Sequence, residues 1–467
     1  MKTILKNVGW LTIGESVSRV LGFFLIVAMT RILGPTEYGK FAFAFAFASL
    51  LAMFSNFGLM GITTRELSQG TEKEKEFPAI LSLKLLFSIG TLAVMFLSAL
   101  FVTHDHGIQK LIWILSLFAL IDNFFWILYA FIRSRERMEY EALAKIGSAI
   151  FLFGVGLFVL WHFPSAENMG YGYLLASFSA LIGFAAFFHF RIYSLRLSID
   201  MSLWKKFWGF SWPLGLAGIS GTVYIYSGSI IMGFLKQVTA VGWYDAAYQI
   251  IGIPVIFMTL LSISFYPSLS RFIKESKEKF QELWNHQMEA MILLAFPLMV
   301  GGVILAPKII DFLYGSSYEP AKLALQILLF VAGLNFLYNP YGTALVVSGQ
   351  QKKHLYGTAI AALISIFLNL LLIPRFSLYG AGVATLISYI SLLVIEAEFV
   401  RRFTQISIWN SVLTKVFFAS LLASFIMAFV LLQPIFSHLQ VLVLVAIGAF
   451  VYFSFLFLFI KLHFLYV

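Results

Sequence analysis

Glu15 and Arg19 stand four residues apart inside the apolar stretch "ESVSRVLGFFLIVAMTRILGP", residues 15 to 35. On a helix that spacing permits an ion pair. A guanidinium is also a forked donor that holds phosphate oxygens in pairs and keeps its charge at any working pH. Arg19 therefore reads either as a structural partner of Glu15 or as a ligand for a diphosphate, and one arginine can be both. Asp122, Trp126, Tyr129 and Arg133 follow at i, i+4, i+7 and i+11, one stripe of a helix. An acid beside two amphipathic aromatics suits a sugar, which stacks on ring faces and bonds to polar edges; the same stripe also suits a helix interface. Asn335, Tyr338 and Asn339 precede Pro340, which removes a backbone donor and frees a carbonyl. That segment reads as a hinge or a cavity lining.

Other charges fall where ligands or anchors are expected. Lys84 lies about a turn and a half inside an apolar run, and either snorkels to the inner surface or receives phosphate there. Arg31 and Lys40 flank an outer turn as interfacial anchors or as receivers of a headgroup on the exit side. Asp122 and Glu15 are the acids placed for ion coupling, with Asp122 preferred because Arg19 can hold Glu15 ionised. His104-Asp105-His106 reads as a solvated turn, not a metal site, and "TEKEKE" (71–76) as a hydrated connector.

The solvent around these residues follows from composition. Of 467 residues, 60% are apolar and 12% charged, and mean hydropathy is +0.90. Apolar runs of about twenty residues recur along the chain, the length that crosses a bilayer core. The expectation is an all-α polytopic membrane protein of fourteen spans: 7–31, 38–62, 78–102, 109–132, 144–163, 170–190, 207–234, 243–269, 287–306, 321–347, 357–374, 379–400, 412–431 and 440–460. The first run lacks a short core followed by small residues, so it reads as a retained helix. With the N-terminus cytoplasmic, the inner segments, Lys145 included, hold 23 Lys and Arg and the outer ones six, which obeys the positive-inside rule and puts both termini inside. The net charge of +10 thus reports orientation, not nucleic acid. The absence of cysteine excludes disulfides, thiol catalysis and thiolate metal sites.

Sliding the chain on itself by 203 residues aligns Met29, Thr36, Gly39 and Phe41 with Met232, Thr239, Gly242 and Tyr244, around an outer turn. A shift of 214 pairs Leu120, Ala130 and Ser134 with Leu334, Ala344 and Ser348. Six spans per unit is an even number, so the repeats are parallel, with a site expected between them. The expected division is an N-lobe at 1–206, a C-lobe at 207–410 and a terminal hairpin at 411–467.

"RILGPTEYGKFAFAFAF" (31–47), "FSNFGLMGITTREL" (54–67), "VTAVGWYDAAYQI" (238–250) and "LVVSGQQK" (345–352) resemble the multidrug/oligosaccharidyl-lipid/polysaccharide exporter superfamily, in the polysaccharide-transport branch that contains the O-antigen flippases. "SRVLGF" (18–23) is similar to the first helix of the related lipid II flippases, where the motif's arginine faces a central cavity and is implicated in binding diphosphate; the residue here is Arg19. Those relatives carry a further arginine six residues on, whereas this chain has Leu25, which argues against lipid II as substrate. The resemblance implies a flippase that turns polyprenyl-diphosphate-linked oligosaccharide to the outer leaflet of the cell membrane by alternating access. It implies membrane lipids and polysaccharide polymerase machinery as partners, and no nucleic acid. A cation-coupled multidrug antiporter of the same superfamily is the alternative. No P-loop or HExxH pattern occurs, so no enzymatic activity is expected; nor is a cofactor, beyond a coupling Na⁺ or H⁺.

Overall fold

The computed structural model describes residues 2–404, 406–436 and 438–461. Among them no strand occurs, and thirteen α-helices follow in order: α1 (Lys2–Asn56), α2 (Leu59–Leu67), α3 (Phe77–Val102), α4 (His106–Ser134), α5 (Met138–His162), α6 (Ala166–Arg191), α7 (Met201–Phe234), α8 (Val238–Glu275), α9 (Lys277–Leu313), α10 (Ala321–Val347), α11 (Gln351–Phe403), α12 (Ser411–Leu431) and α13 (Val441–Lys461). Helices are the outcome that apolar surroundings impose, because each segment must satisfy its own backbone donors and acceptors. All but the nine-residue α2 are long and apolar enough to cross a membrane.

At 55 and 53 residues, α1 and α11 each exceed twice the need. At 1.5 Å per residue each would run about 80 Å, so each must turn back. In α1 the turn is at Gly34, whose φ of 72° is left-handed, followed by Pro35, which cannot donate into the preceding turn. In α11 it is at Ser377, with φ 51°, three residues after Pro374. Divided there, the long helices provide the fourteen membrane-length stretches that hydropathy anticipates. The difference lies in connection: spans one and two, and spans eleven and twelve, run continuously through a bend.

By packing the chain parts into residues 1–242 and 243–467, a boundary in the first turns of α8. The expected division after 206 follows sequence repetition, whereas α7 packs with α1, α2 and α3: a Cβ on Gly58 would sit 2.3 Å from the Ser211 carbonyl. The core of this unit centres on Phe77, Phe131 and Phe188, with the first two rings 4.7 Å apart. Residues 71–76 are the hydrated connector anticipated, with none of them buried, and they also carry a structural tie. They form a 3-10 turn in which Glu74 takes Arg135 and Glu76 takes Lys206 at 2.9 Å, so α3, α4 and α7 are tied together at one end. The residues paired by the 203-residue shift meet directly: Thr36 and Thr239 share a hydroxyl hydrogen bond at 2.9 Å, and Gly39 crosses Gly242 backbone to backbone.

In the second unit α9 is central, packed by α10, α12 and α13. Trp284 is fully buried and donates its indole N–H to the Pro340 carbonyl at 3.2 Å. The terminal pair α12 and α13 docks on α9, where the Tyr452 hydroxyl donates to the Leu293 carbonyl at 2.9 Å and Phe417 meets Phe296 edge-on.

Candidate functional site

A cluster of alternating charges in the first unit begins with a glycine. A Cβ at Gly14 would lie 2.9 Å from Ala142 Cα, so α1 and α5 approach closely enough for short bridges between them. One residue on, Glu15 takes Arg19 Nε at 2.7 Å on one oxygen and Lys145 Nζ at 3.2 Å on the other. Lys145, only 14% exposed, also reaches Glu141 at 3.1 Å, one turn back on α5. Glu141 has no exposed side-chain surface and receives Arg133 from α4, with Nε at 2.6 Å. The run Arg19–Glu15–Lys145–Glu141–Arg133 thus links three helices with each charge facing an opposite one, the condition under which buried ions are tolerated.

Lys145 Nζ also stands 5.1 Å above the Trp126 ring and 5.6 Å from that of Tyr129, which is cation–π range. These groups, with Glu15, Asp122, Ser18, Ser148 and Ser177, line a cavity of about 240 Å³. At ~30 Å³ each that is room for about eight waters, below the range of sites for drug-sized ligands. In this state the cavity can admit an ion with its water or the edge of a sugar, not an oligosaccharide. Asp122 opens onto it and, among the described residues, makes neither a hydrogen bond nor an ion pair. A larger groove of about 1220 Å³ between α4, α5 and α6 is walled almost wholly by apolar side chains, so it offers no diphosphate ligand.

The structure gathers some of the anticipated residues and scatters others. Glu15, Asp122, Trp126 and Tyr129 share the cavity, and Arg19 joins through Glu15 with a side chain 45% exposed. Lys40 pairs with Glu37 at 2.6 Å, and Arg31 is exposed one turn before the Gly34 bend. Lys84 does not snorkel: it is fully buried and donates to the Ser55 carbonyl and hydroxyl, each at 3.0 Å. It bends inward because α1 supplies two acceptors where the route outward is packed. Asn335, Tyr338 and Asn339 belong to the second unit. There Tyr338 meets Tyr389 edge-on, Asn335 approaches the Tyr389 hydroxyl at 3.4 Å, and Asn339 accepts from Ser262.

Lys145 is the residue that sequence reading misplaced. Counted with an inner loop, it stands instead in the second turn of α5 and faces the cavity. Its spacing from Glu141, an i, i+4 pair beside the aromatic stripe of α4, was the available signal.

A family model described as polysaccharide biosynthesis protein matches residues 4–273, and one described as MatE matches residues 213–371. The chain is similar to a probable low-salt glycan biosynthesis flippase, Agl15, of Haloferax volcanii, 22% identical over 92% of this chain and 91% of the relative. It is likewise similar to the putative O-antigen transporter of Escherichia coli K12, 22% identical over 85% and 96%. Among solved structures the lipid II flippase MurJ in an inward closed conformation superposes with a TM-score of 0.79, at 18% identity over 96% of this chain and 98% of that one. An inward-facing multidrug MATE transporter superposes with 0.66, at 13% identity over 85% and 99%. These superpositions establish the fold.

Proposed function

The chain belongs to the polysaccharide biosynthesis protein family, in the polysaccharide-transport branch of the multidrug/oligosaccharidyl-lipid/polysaccharide exporter superfamily; on that premise we propose that it flips a polyprenyl-diphosphate-linked oligosaccharide from the cytoplasmic to the outer leaflet by alternating access. The observation that carries this reading is the posture of Arg19. Among the described residues Glu15 engages its Nε alone, so the charge is held in place while neither Nη group makes a bond to them and the side chain stays open. A diphosphate is the anion that two free guanidinium donors suit. Trp126 and Tyr129 of the first unit supply ring faces for a sugar, Asn335, Tyr338 and Asn339 of the second supply ring and amide edges of their own, and Arg31 and Lys40 are further cations for the phosphate, whereas Lys84, enclosed on Ser55, is not. The hairpin of α12 and α13 guides the lipid tail. Both termini lie in the cytoplasm, no catalytic step is required, and polymerase machinery receives the product. If an ion is coupled, Na⁺ or H⁺, Asp122 is the acid open to it.

The match to MatE over residues 213–371 favours a second reading, export of organic cations. A cation exporter needs acids facing its cargo, and the open acid here shares a cavity of about 240 Å³ with Lys145, which repels such cargo. The purified full chain should bind polyprenyl-diphosphate oligosaccharide saturably, with cationic dyes failing to compete. Dye binding unaffected by the lipid-linked sugar would decide for the antiporter.

A further inference from the structure

Glu396, on the second arm of α11, has no exposed side-chain surface although it lies in a membrane-length helix. One carboxylate oxygen lies 2.6 Å from His354 Nδ1, near the start of the first arm. The other is buried without a hydrogen-bond partner. Two glycines make the space that the carboxylate fills: a Cβ on Gly342 of α10 would come within 3.1 Å of the orphaned oxygen, and one on Gly357 within 3.3 Å of Glu396 Cγ. The remaining titratable group acting on the pair is the Tyr338 phenol from α10, and no lysine or arginine acts on it. Among the described residues, then, this is a fully buried carboxylate closed over by a half-buried imidazole, 32% exposed, with no third charge acting on the pair.

Charge balance fixes what such a pair can hold. With no proton it buries an uncompensated carboxylate, which is costly in a dry interior, and with two it leaves a half-buried imidazolium without its counter-charge. One shared proton makes the pair neutral. The two arms join at Ser377, and the pair clasps them near the ends remote from that bend.

We propose that Glu396 and His354 form a proton-carrying site: the arms of α11 close on the pair with one proton bound and release that proton when they part. In water the glutamate ionises, and the imidazole loses its proton above its ordinary range near ~6.5. The proton leaves to solvent and returns on closure, with no other bond made or broken. As a driving device for transport this rests on the flippase reading; the proton site itself does not.

The test is the apparent melting midpoint of the purified full chain against pH, wild type beside Glu396→Gln and His354→Gln. The native pair keeps a proton that the opened chain has lost, so above about pH 6.5, where a free imidazole gives up its proton, wild type should become less stable as pH rises, by up to about tenfold in its folded ratio per pH unit. Glu396→Gln needs no proton and should stay flat there. His354→Gln leaves a lone buried carboxylate, so its decline should begin about two units lower, where free glutamate ionises. A flat wild-type curve, or equal slopes for wild type and Glu396→Gln, overturns the proposal whether or not the chain flips any lipid. In proteoliposomes, flipping without a gradient reports on the flippase reading alone. Acceleration by a pH gradient should be present in wild type and lost in Glu396→Gln, and a variant that keeps it overturns the coupling.

Discussion

The crossing of Gly39 and Gly242 converts a sequence repeat into a stability prediction. A Cβ on Gly39 would lie 2.0 Å from the Val238 carbonyl oxygen, and one on Gly242 2.0 Å from that of Pro35. Ordinary contact begins near ~3.5 Å, so α1 and α8 must separate by more than an ångström to admit one methyl group. Helix propensity alone favours Gly39→Ala by about 1 kcal/mol. Against it stand overpacking, about 1–3 kcal/mol, and loss of the Thr36–Thr239 hydrogen bond at the same crossing, about 1 kcal/mol. The net expectation is a loss of about 2 kcal/mol, read as a melting midpoint a few degrees lower in detergent. Gly154→Ala is the control, because its added Cβ meets nothing within 4 Å, and it should gain up to about 1 kcal/mol. The double variant Gly39→Ala/Gly242→Ala should lose less than the two single losses combined, since one separation relieves both clashes. A Gly39→Ala protein as stable as Gly154→Ala would refute the close crossing.

Arg19→Ala should abolish complementation of a flippase-deficient strain, and Arg19→Lys should restore little, because a point charge replaces a fork; normal glycan export by a well-expressed Arg19→Ala protein counts against the diphosphate role. Lys145→Met leaves Glu15 to Arg19 alone and Glu141 to Arg133 alone, so it should cost about 1.5–3 kcal/mol for the lost charge-assisted bonds, with Lys145→Arg recovering part, as measured by thermal melting. An undiminished Lys145→Met midpoint would mean that the charge network contributes nothing. Cysteines placed in this cysteine-free chain at Ser134 and Ser276 should be shielded from an impermeant thiol reagent in intact cells, and those at His106 and Ser316 labelled; the reverse pattern contradicts the orientation.

What could be read in the sequence was whatever depends on neighbours along one helix. The apolar runs located the membrane stretches, the Glu15–Arg19 spacing anticipated a bond of 2.7 Å, and the 3.6-residue period put Asp122, Trp126 and Tyr129 on one wall. What escaped depends on partners brought in by folding. Glu396 and His354 are 42 residues apart, and only the turn at Ser377 joins them. The sequence places a break there, between spans 357–374 and 379–400, but it does not show which residues of the two arms meet across it. Lys84 could be expected to reach water only while the acceptors on Ser55 were unknown. Lys145 was lost to an assumed boundary: α5 begins at Met138, a turn and a half before the apolar run, and its charged first turns belong to the site.

The most direct test is leaflet exchange in proteoliposomes containing only this chain and a fluorescent polyprenyl-diphosphate oligosaccharide, with an impermeant reagent reporting which leaflet holds the sugar. The account predicts protein-dependent exchange of the lipid-linked sugar that Arg19→Ala reduces at least tenfold, together with no accumulation of a cationic dye under an imposed Na⁺ or proton gradient. Dye accumulation with no exchange of the lipid-linked sugar would contradict it.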